Sequence, residues 1–469
     1  MKSLPLSLDR TAKIPLAEQI RRGIAKAIEA GVLEPGQRLP SWQDLAAQLG
    51  VARGTVRTAY EKLAAAQLIE ASRATGTRVA QRPRPVAKNE PLPNDGSFIE
   101  VYREMTQGPV FFQMGVPATE TFPATLFARL YAHAARTEAS APPLYPDPRG
   151  EPELRREIAG YLAVARGINC SPSQIIITGG FAGGLGLALS VLGLGGATAW
   201  IENPNFLWSR KALELAGLSL APIPVDTDGI DIEYGLRHHP RAKLVMVTPG
   251  QQAPLGYTLS LERRLRLLEW AAANAVWVIE DDYLSELQLA GRPAPALASL
   301  DRDGRVIHIG SFSKTISPSI RIGFLVAPVE MVSRFAEVAA CLAPSPGPGV
   351  QLAVAEFMRE GHYMRHLRRT KRAYAAKRQA LLDCLRVSVG AERLATPGLA
   401  VLLKLPGGMD DMVIAREVLM FGMSPAPLSP WYMTQENAES GLLLGVATAP
   451  TRNLARSCER LFEVIHRFS

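Results

Sequence analysis

"SFSKTISPSIRIG", Ser311–Gly323, follows the apolar run "RVIHIG" and holds two charges, Lys314 and Arg321, seven residues apart, with Ser311 and Ser313 close by. A solvated loop would scatter its charges without regard to spacing. A lysine, an arginine and hydroxyls at the end of an apolar strand suit a phosphate with a reactive amine beside it. Lys314 alone would pass for a surface lysine; its spacing to Arg321 and the upstream "EDDY" (280–283) favour chemistry.

Working outward, strand-like runs alternate with helical patterns: "QIIIT", "ATAWIE", "AKLVMVTP", the helix "LERRLRLLEWAAAN", then "VWVIEDDY", "VIHIGSFSK" and "IGFLVAP". This alternation predicts an α/β fold, a mainly parallel sheet covered by helices on both faces, with sites at the carboxyl ends of its strands. "EDDY" and "SFSK" both fall at such ends. The run "IIITGGFAGGLGLALSVLGLGGATAWI" (175–201) is long and uncharged enough to be weighed as a membrane span. Its glycine turns and missing basic or aromatic flanks predict a buried strand-turn-helix-strand instead.

Lys314 can condense with an aldehyde, while Arg321, Ser311 and Ser313 can bind a phosphate. Asp281, ending its strand, can pair with a pyridinium nitrogen, and the Tyr283 phenol can hydrogen-bond a ring hydroxyl. Aldehyde, phosphate, pyridine and hydroxyl together describe pyridoxal phosphate. "TGGFAGG" (178–184) sits between a strand and a helix, so its backbone N–H groups could cradle the same phosphate; glycine-rich turns are also common without that role. Phe206 in "ENPNF" could stack on the ring or serve as a core aromatic.

At 469 residues the chain exceeds the roughly 250–300 at which single cores stop growing, so at least two domains are expected. Charge divides them. Residues 1–88 hold 15 Lys/Arg against 7 Asp/Glu, a net of +8, which equals the whole chain's +8 and leaves the remainder formally neutral. A basic front end on a neutral body suggests an anionic polymer as partner. Cys170, Cys341, Cys384 and Cys458 show no CxxC pairing and "MKSLPLSLDRTAK" no apolar signal core. Metal, disulfides and a membrane anchor are therefore not expected, and a cytoplasmic setting is.

In the front end, Leu16, Ile20, Ile24 and Ile28 form one helical stripe ending near Gly31. Ser41 with Asp44 resembles a capping box opening a second helix that stops at Gly50. A third, from about Ala52 to Ala66, turns Val56, Tyr60 and Leu63 inward and sets Arg53 and Arg57 on another face. "LIEASRATGTRVA" (68–80) reads as a two-stranded wing with Gly76 at its turn. Such helices suit the reading of a DNA major groove, though a small helical domain with a solvated basic face would show the same pattern. "QRPRPVAKNEPLPNDGS" (81–97) reads as an extended linker, dividing a domain at 1–80 from one at 111–469 with the connection at 81–110.

The segment "PLAEQIRRGIAKAIEAGVLEPGQRLPSWQDLAAQLGVARGTVRTAYEKLAAAQLIE" resembles the winged helix-turn-helix of the GntR regulators along its whole length. The resemblance implies Ser41, Gln43, Arg53, Gly54, Thr55 and Arg57 at operator DNA, with the wing around Arg73 and Gly76 beside it. Gln43, Ala52 and Gly54 depart from the family's more polar usage, so phosphate contacts should supply much of the affinity.

The rest of the chain extends the resemblance. "LYPDPRGEPELRREIAGYL", "ENPNF", "TPGQQAPLG", "VIEDDY" and "SFSKTISPSIRIG", in this order behind a GntR-type domain, are similar to the MocR regulators, which join that domain to a fold-type I aminotransferase-like domain with a smaller C-terminal α+β part. The resemblance implies a homodimeric transcriptional regulator rather than an enzyme, with Lys314 as the aldimine lysine, Asp281 at the pyridine nitrogen, Tyr283 at the ring hydroxyl and Phe206 stacked. It puts Arg321, Ser311, Ser313, Gly180 and the backbone of Phe181 and Ala182 around the phosphate, with Tyr145 reaching across the dimer. "GLLLGVA" (441–447) carries Leu443 where aminotransferases hold an arginine for the substrate carboxylate. That departure favours pyridoxal phosphate itself, or an amine without an α-carboxylate, as effector. The rival readings are a working aminotransferase with an accessory domain and a DNA-binding scaffold without cofactor.

Overall fold

A computed structural model describes residues 6–80 save 7, 13 and 73–75, and residues 110–468 save 143, 290, 292 and 435–437. The chain divides into two compact units, Met1–Asp95 and Gly96–Ser469. The expected linker, apart from Val110, and Arg73 of the expected wing lie outside the described residues.

In the first unit the four-residue stripe folds as α1 (Leu16–Glu29), with Ile20 and Ile24 fully buried. The helix α2 (Trp42–Leu49) opens at Ser41, whose Oγ accepts the Asp44 N–H at 3.1 Å. The return arm of a capping box takes another form here: the Asp44 carboxylate receives the Ser41 hydroxyl at 2.7 Å. Gly50, at φ 61°, ends the helix in the left-handed conformation that glycine adopts without steric cost. The third helix, α3 (Arg53–Ala65), buries Val56, Ala59, Tyr60 and Leu63 against Ile20, Ile24 and Leu45. Each fully buried Leu, Ile or Val contributes about 1.5–3 kcal/mol toward offsetting the entropy lost on ordering the three helices. A ribbon of β1 (Ile69–Ser72) and β2 (Gly76–Val79), paired antiparallel, completes the winged helix-turn-helix.

The second unit is built on β3 (Ile175–Thr178), β4 (Thr198–Asn203), β5 (Ser219–Asp226), β6 (Gly229–Ile230), β7 (Leu244–Val247), β8 (Trp277–Asp282), β9 (Val306–Ser311) and β10 (Gly323–Val326). They form one sheet in the order β3-β10-β9-β8-β7-β4-β5-β6. The central pairings from β9 through β8, β7 and β4 to β5 are parallel; β10 runs antiparallel to both β3 and β9, and β6 to β5. Period-two alternation sends Ile175 and Ile177 to one helical layer and Ile176 to the other, so both faces are covered. The glycine-rich run 175–201 forms β3, the helix Phe181–Leu192 and the start of β4, and no described helix is long and apolar enough to cross a membrane.

A smaller antiparallel sheet, β11 (Leu394–Ala395), β12 (Ala400–Lys404), β13 (Ala426–Pro427) and β14 (Gly441–Gly445), has the order β11-β12-β14-β13. It packs with the helices His362–Arg386 and Leu454–His466 as the C-terminal α+β part. The fold is α/β with an N-terminal winged helix-turn-helix.

Candidate cofactor site and nucleic-acid face

Three strand ends meet at one place. Gly323, the first residue of β10, pairs with Thr178 at the end of β3 and with Ser311 at the end of β9. A Cβ on Gly323 would stand 2.8 Å from the Gly180 carbonyl carbon, so only glycine allows this approach. Gly180 itself sits at φ 81° as N-cap of the helix Phe181–Leu192, without a side-chain cap. The N–H groups of that first turn, including those of Phe181 and Ala182, therefore retain their capacity to bind an anion. The Arg321 guanidinium lies beside it, 3.7 Å from where a Gly180 Cβ would be. Ser311 Oγ donates to Ser313 Oγ at 2.9 Å and accepts the Ser313 N–H at 3.1 Å, which fixes both hydroxyls at the end of β9.

Lys314 is partly buried and donates from Nζ to the Gly115 carbonyl at 2.8 Å. A Cβ on Gly115 would stand 2.6 Å from Nζ, so this glycine, at φ 78°, makes room for the amine. Removal from water pulls the Lys314 ammonium down to about 8, with the Asp281 charge acting in the opposite sense. Asp281 is buried on β8, whose parallel pairing sets it opposite Ile309 of β9. Its carboxyl is held well above the usual range by burial first, and then by the neighbouring Asp282 and Glu202 charges. Burial likewise raises the Tyr283 phenol.

Phe206 caps the helix Leu207–Leu215 and stacks on Trp208, with ring centroids 5.0 Å apart and planes within 14°. It also lies 6.5 Å from the Phe181 ring and 5.8 Å from that of Trp431. Tyr145 is fully exposed, and the structure does not bring it to the other residues. Leu443 is buried with Ala253, Leu402, Leu428, Trp431 and Tyr432, and Phe206 and Tyr283 pack against this cluster. The position read as an absent arginine is thus an apolar wall.

Sequence reading missed several supporting residues. Glu202, buried at the end of β4, accepts Thr248 Oγ1 at 2.6 Å and Thr248 N–H at 3.2 Å, and burial raises its carboxyl to about 7. On the face of β8 away from Asp281, Glu280 accepts the Leu297 and Ala298 N–H groups and sits 3.0 Å from His308 Nδ1. Asp282 accepts Arg166 Nε at 2.7 Å and the Ser285 hydroxyl. Strand alternation in "EDDY" was the available signal that Glu280 and Asp282 oppose Asp281. Nothing local announced Arg166, Gly115 or Trp208.

In the first unit Ser41, Gln43, Arg53, Gly54 and Arg57 are exposed, and Thr55 is half-buried on α3. Arg57 Nε is engaged by Glu61 at 2.9 Å, so its charge is shared along the helix. Gly76, at φ 79°, begins β2, and a Cβ there would meet the Arg38 guanidinium at 3.2 Å. Arg38 thus stands at the wing, an exposed cation the sequence did not single out.

Residues 113–409 match the family described as aminotransferase class I and II, and residues 16–79 match bacterial regulatory proteins of the gntR family. The probable rhizopine catabolism regulatory protein MocR of Rhizobium meliloti is 34% identical over 94% of this chain and 92% of its own length. The pyridoxine biosynthesis transcriptional regulator PdxR of Corynebacterium glutamicum is 34% identical over 82% of each. Among solved structures, the α-aminoadipate aminotransferase LysN of Thermus thermophilus, complexed with N-(5'-phosphopyridoxyl)-L-leucine, superposes with a TM-score of 0.70 at 28% identity, covering 78% of this chain and 94% of that one. An aminotransferase-like unit behind a GntR-type winged helix, in a chain collinear with curated regulators, makes this protein a member of the MocR-type transcriptional regulators.

Proposed function

We propose that this chain is a pyridoxal phosphate-dependent regulator of transcription, whose second unit holds the cofactor on Lys314 and whose winged helix-turn-helix binds operator DNA. The carrying observation is the convergence of Lys314 Nζ, the buried Asp281 carboxyl and the uncapped helix start at Gly180 with Arg321 beside it.

The residues fit the group. Among the described residues no ion pair reaches Asp281, so a buried carboxyl is left for a cation such as a pyridinium N–H. The first-turn N–H groups of Phe181–Leu192, Arg321, Ser311 and Ser313 supply donors for a phosphate, and Tyr283 supplies a phenol for the ring hydroxyl. Phe206 offers an aromatic face, one side of which already rests on Trp208. When bound, pyridoxal phosphate supplies an aldehyde that condenses with primary amines. This chain's own residues bind and orient: Lys314 presents a low-pKa amine, Gly115 holds it, and Asp281 keeps a proton on its partner nitrogen.

The domains follow the same reading, with DNA contacts carried by residues 1–80 from Ser41, Gln43, Arg53, Gly54, Thr55, Arg57 and the wing, and effector binding and homodimerisation by residues 111–469. Tyr145, fully exposed, is free to meet the site of a second copy. Leu443 and its apolar neighbours favour pyridoxal phosphate itself, or an amine without an α-carboxylate, as effector, since a buried unpaired carboxylate is costly.

The test has two parts. Borohydride should fix a chromophore to the peptide carrying Lys314, and none should be fixed in Lys314→Ala. Affinity for the chain's own upstream intergenic DNA, at one salt concentration, should then change on adding pyridoxal phosphate. A protein that retains no label ends the cofactor reading. A labelled protein whose affinity does not move ends the view of pyridoxal phosphate as the signal.

A further inference from the structure

The helix His362–Arg386 carries charge that neither the cofactor site nor the winged helix-turn-helix uses. Its stretch "GHYMRHLRRTKRAYAAKRQALL" (361–382) contains seven Lys/Arg and no Asp or Glu, whereas the rest of the second unit holds 30 Lys/Arg against 35 Asp/Glu. Tyr363, His366, Leu367, Thr370 and Tyr374 turn inward to the core. Helical spacing therefore turns Arg365, Arg368 and Arg372, at i, i+3 and i+7, together with Arg369, outward, and all four are exposed. Arg365 donates to the Glu360 carbonyl and to His362 Nδ1, and Arg369 to the Thr121 carbonyl. Among the described residues none of the four makes an ion pair, although Glu120, Glu360 and Asp383 at the borders of the patch pair with Lys377, His362 and Arg386.

Seven like charges on one helix repel one another, and among exposed pairs neutralisation is the usual arrangement. A row left unneutralised for about two turns matches a polyanion with regularly spaced charges. From this ridge we infer that Arg365, Arg368 and Arg372 form a second, sequence-independent contact for double-stranded DNA, binding phosphates of the duplex held by the winged helix-turn-helix. The inference rests on the regulator reading, which already brings DNA to this chain. Charge complementarity selects the partner, and tethering raises its local concentration, so a contact too weak to act alone adds to the whole. Guanidinium groups on a rigid helix suit phosphates, and none of the four needs to reach a base edge.

The experiment uses the full chain, loaded with pyridoxal phosphate, and a 60-base-pair duplex (about that length, to extend past one recognition site) from its own upstream intergenic region. Binding is measured from low to physiological salt for the wild type, for Arg365→Gln/Arg368→Gln/Arg372→Gln, and for the matching triple Arg→Lys variant. The Gln variant should weaken binding at least about tenfold at low salt and lower the slope of log affinity against log salt by two to three, at about 0.9 per lost phosphate contact. The Lys variant should keep the wild-type slope, because charge rather than geometry carries the contact. Unchanged affinity and slope in the Gln variant would overturn the ridge while leaving the regulator reading intact. So would loss of binding to anionic phosphatidylglycerol vesicles with DNA binding unaffected, which would assign the ridge to a membrane surface. A wild type that binds no DNA sinks the regulator reading itself.

Discussion

Lys314 must be uncharged to attack an aldehyde, and burial brings its ammonium down to about 8 where a lysine in water stays charged. Below that value the amine is protonated and inert; above it the free base dominates. Capture of pyridoxal phosphate by the cofactor-free protein, followed by absorbance, should therefore rise through pH 8 and level off. A rate still climbing at the ordinary lysine value of 10.5 would contradict the burial argument. Asp281→Asn removes the charge that raises Lys314, so the midpoint should move lower still. The same change should leave the cofactor-free protein no less stable, because a buried carboxyl without an ion pair gives up little, while retention of the cofactor through gel filtration falls. At Leu443 the expectation concerns ligands: primary amines without an α-carboxylate should shift the absorbance of the loaded protein at concentrations where α-amino acids do not.

At the scale of elements, β8 carries two different jobs on its two faces. Asp281 points to the candidate site, while Glu280 and Asp282 are tied to His308, Arg166 and two backbone N–H groups behind it. Arg166 is itself buried at the end of the helix Pro152–Arg166, where it also donates to the Ala294 carbonyl at 2.8 Å. Replacing Arg166 by Met leaves the buried Asp282 carboxylate with the Ser285 hydroxyl and, at 3.9 Å, His308 Nε2 as its remaining described partners, at a cost of about 3–5 kcal/mol. A clear drop in the denaturation midpoint is expected, and an unchanged midpoint would show that the pair is dispensable. In α3 the two arginines differ, since Arg57 is held by Glu61 and Arg53 is not. Arg53→Ala should lower the salt slope of DNA binding by about one without altering cofactor absorbance, which a filter-binding series at several salt concentrations would show.

For the whole molecule, charge is the property that connects the two units. The front end carries a net +8 on 88 residues, and the remaining residues together are formally neutral. That balance conceals a local excess, because no Asp or Glu falls within 361–382. Net charge per domain was therefore a sound guide to the partner of the first unit and a poor one to the surface of the second. Long-range steering responds to the local field, not to the sum over a domain.

Much of the architecture and half of the candidate site were legible without coordinates. Lys314, Asp281, Gly180 and Arg321 lie in short runs at strand ends, where local periodicity fixes both the element and the side chain's face. The core faces of α1 and α3 followed from three- and four-residue spacing in the same way. Tertiary structure alone decided the rest, since the partners lie far apart in sequence. Gly115 meets Lys314 across 199 residues, Arg166 meets Asp282 across 116, and Leu443 comes to lie beside Phe206 and Tyr283 only when the small sheet packs against the large one. A sequence pattern encodes which face a residue takes on its own element. Which distant element covers that face, and so sets its charge and its room, is settled by packing.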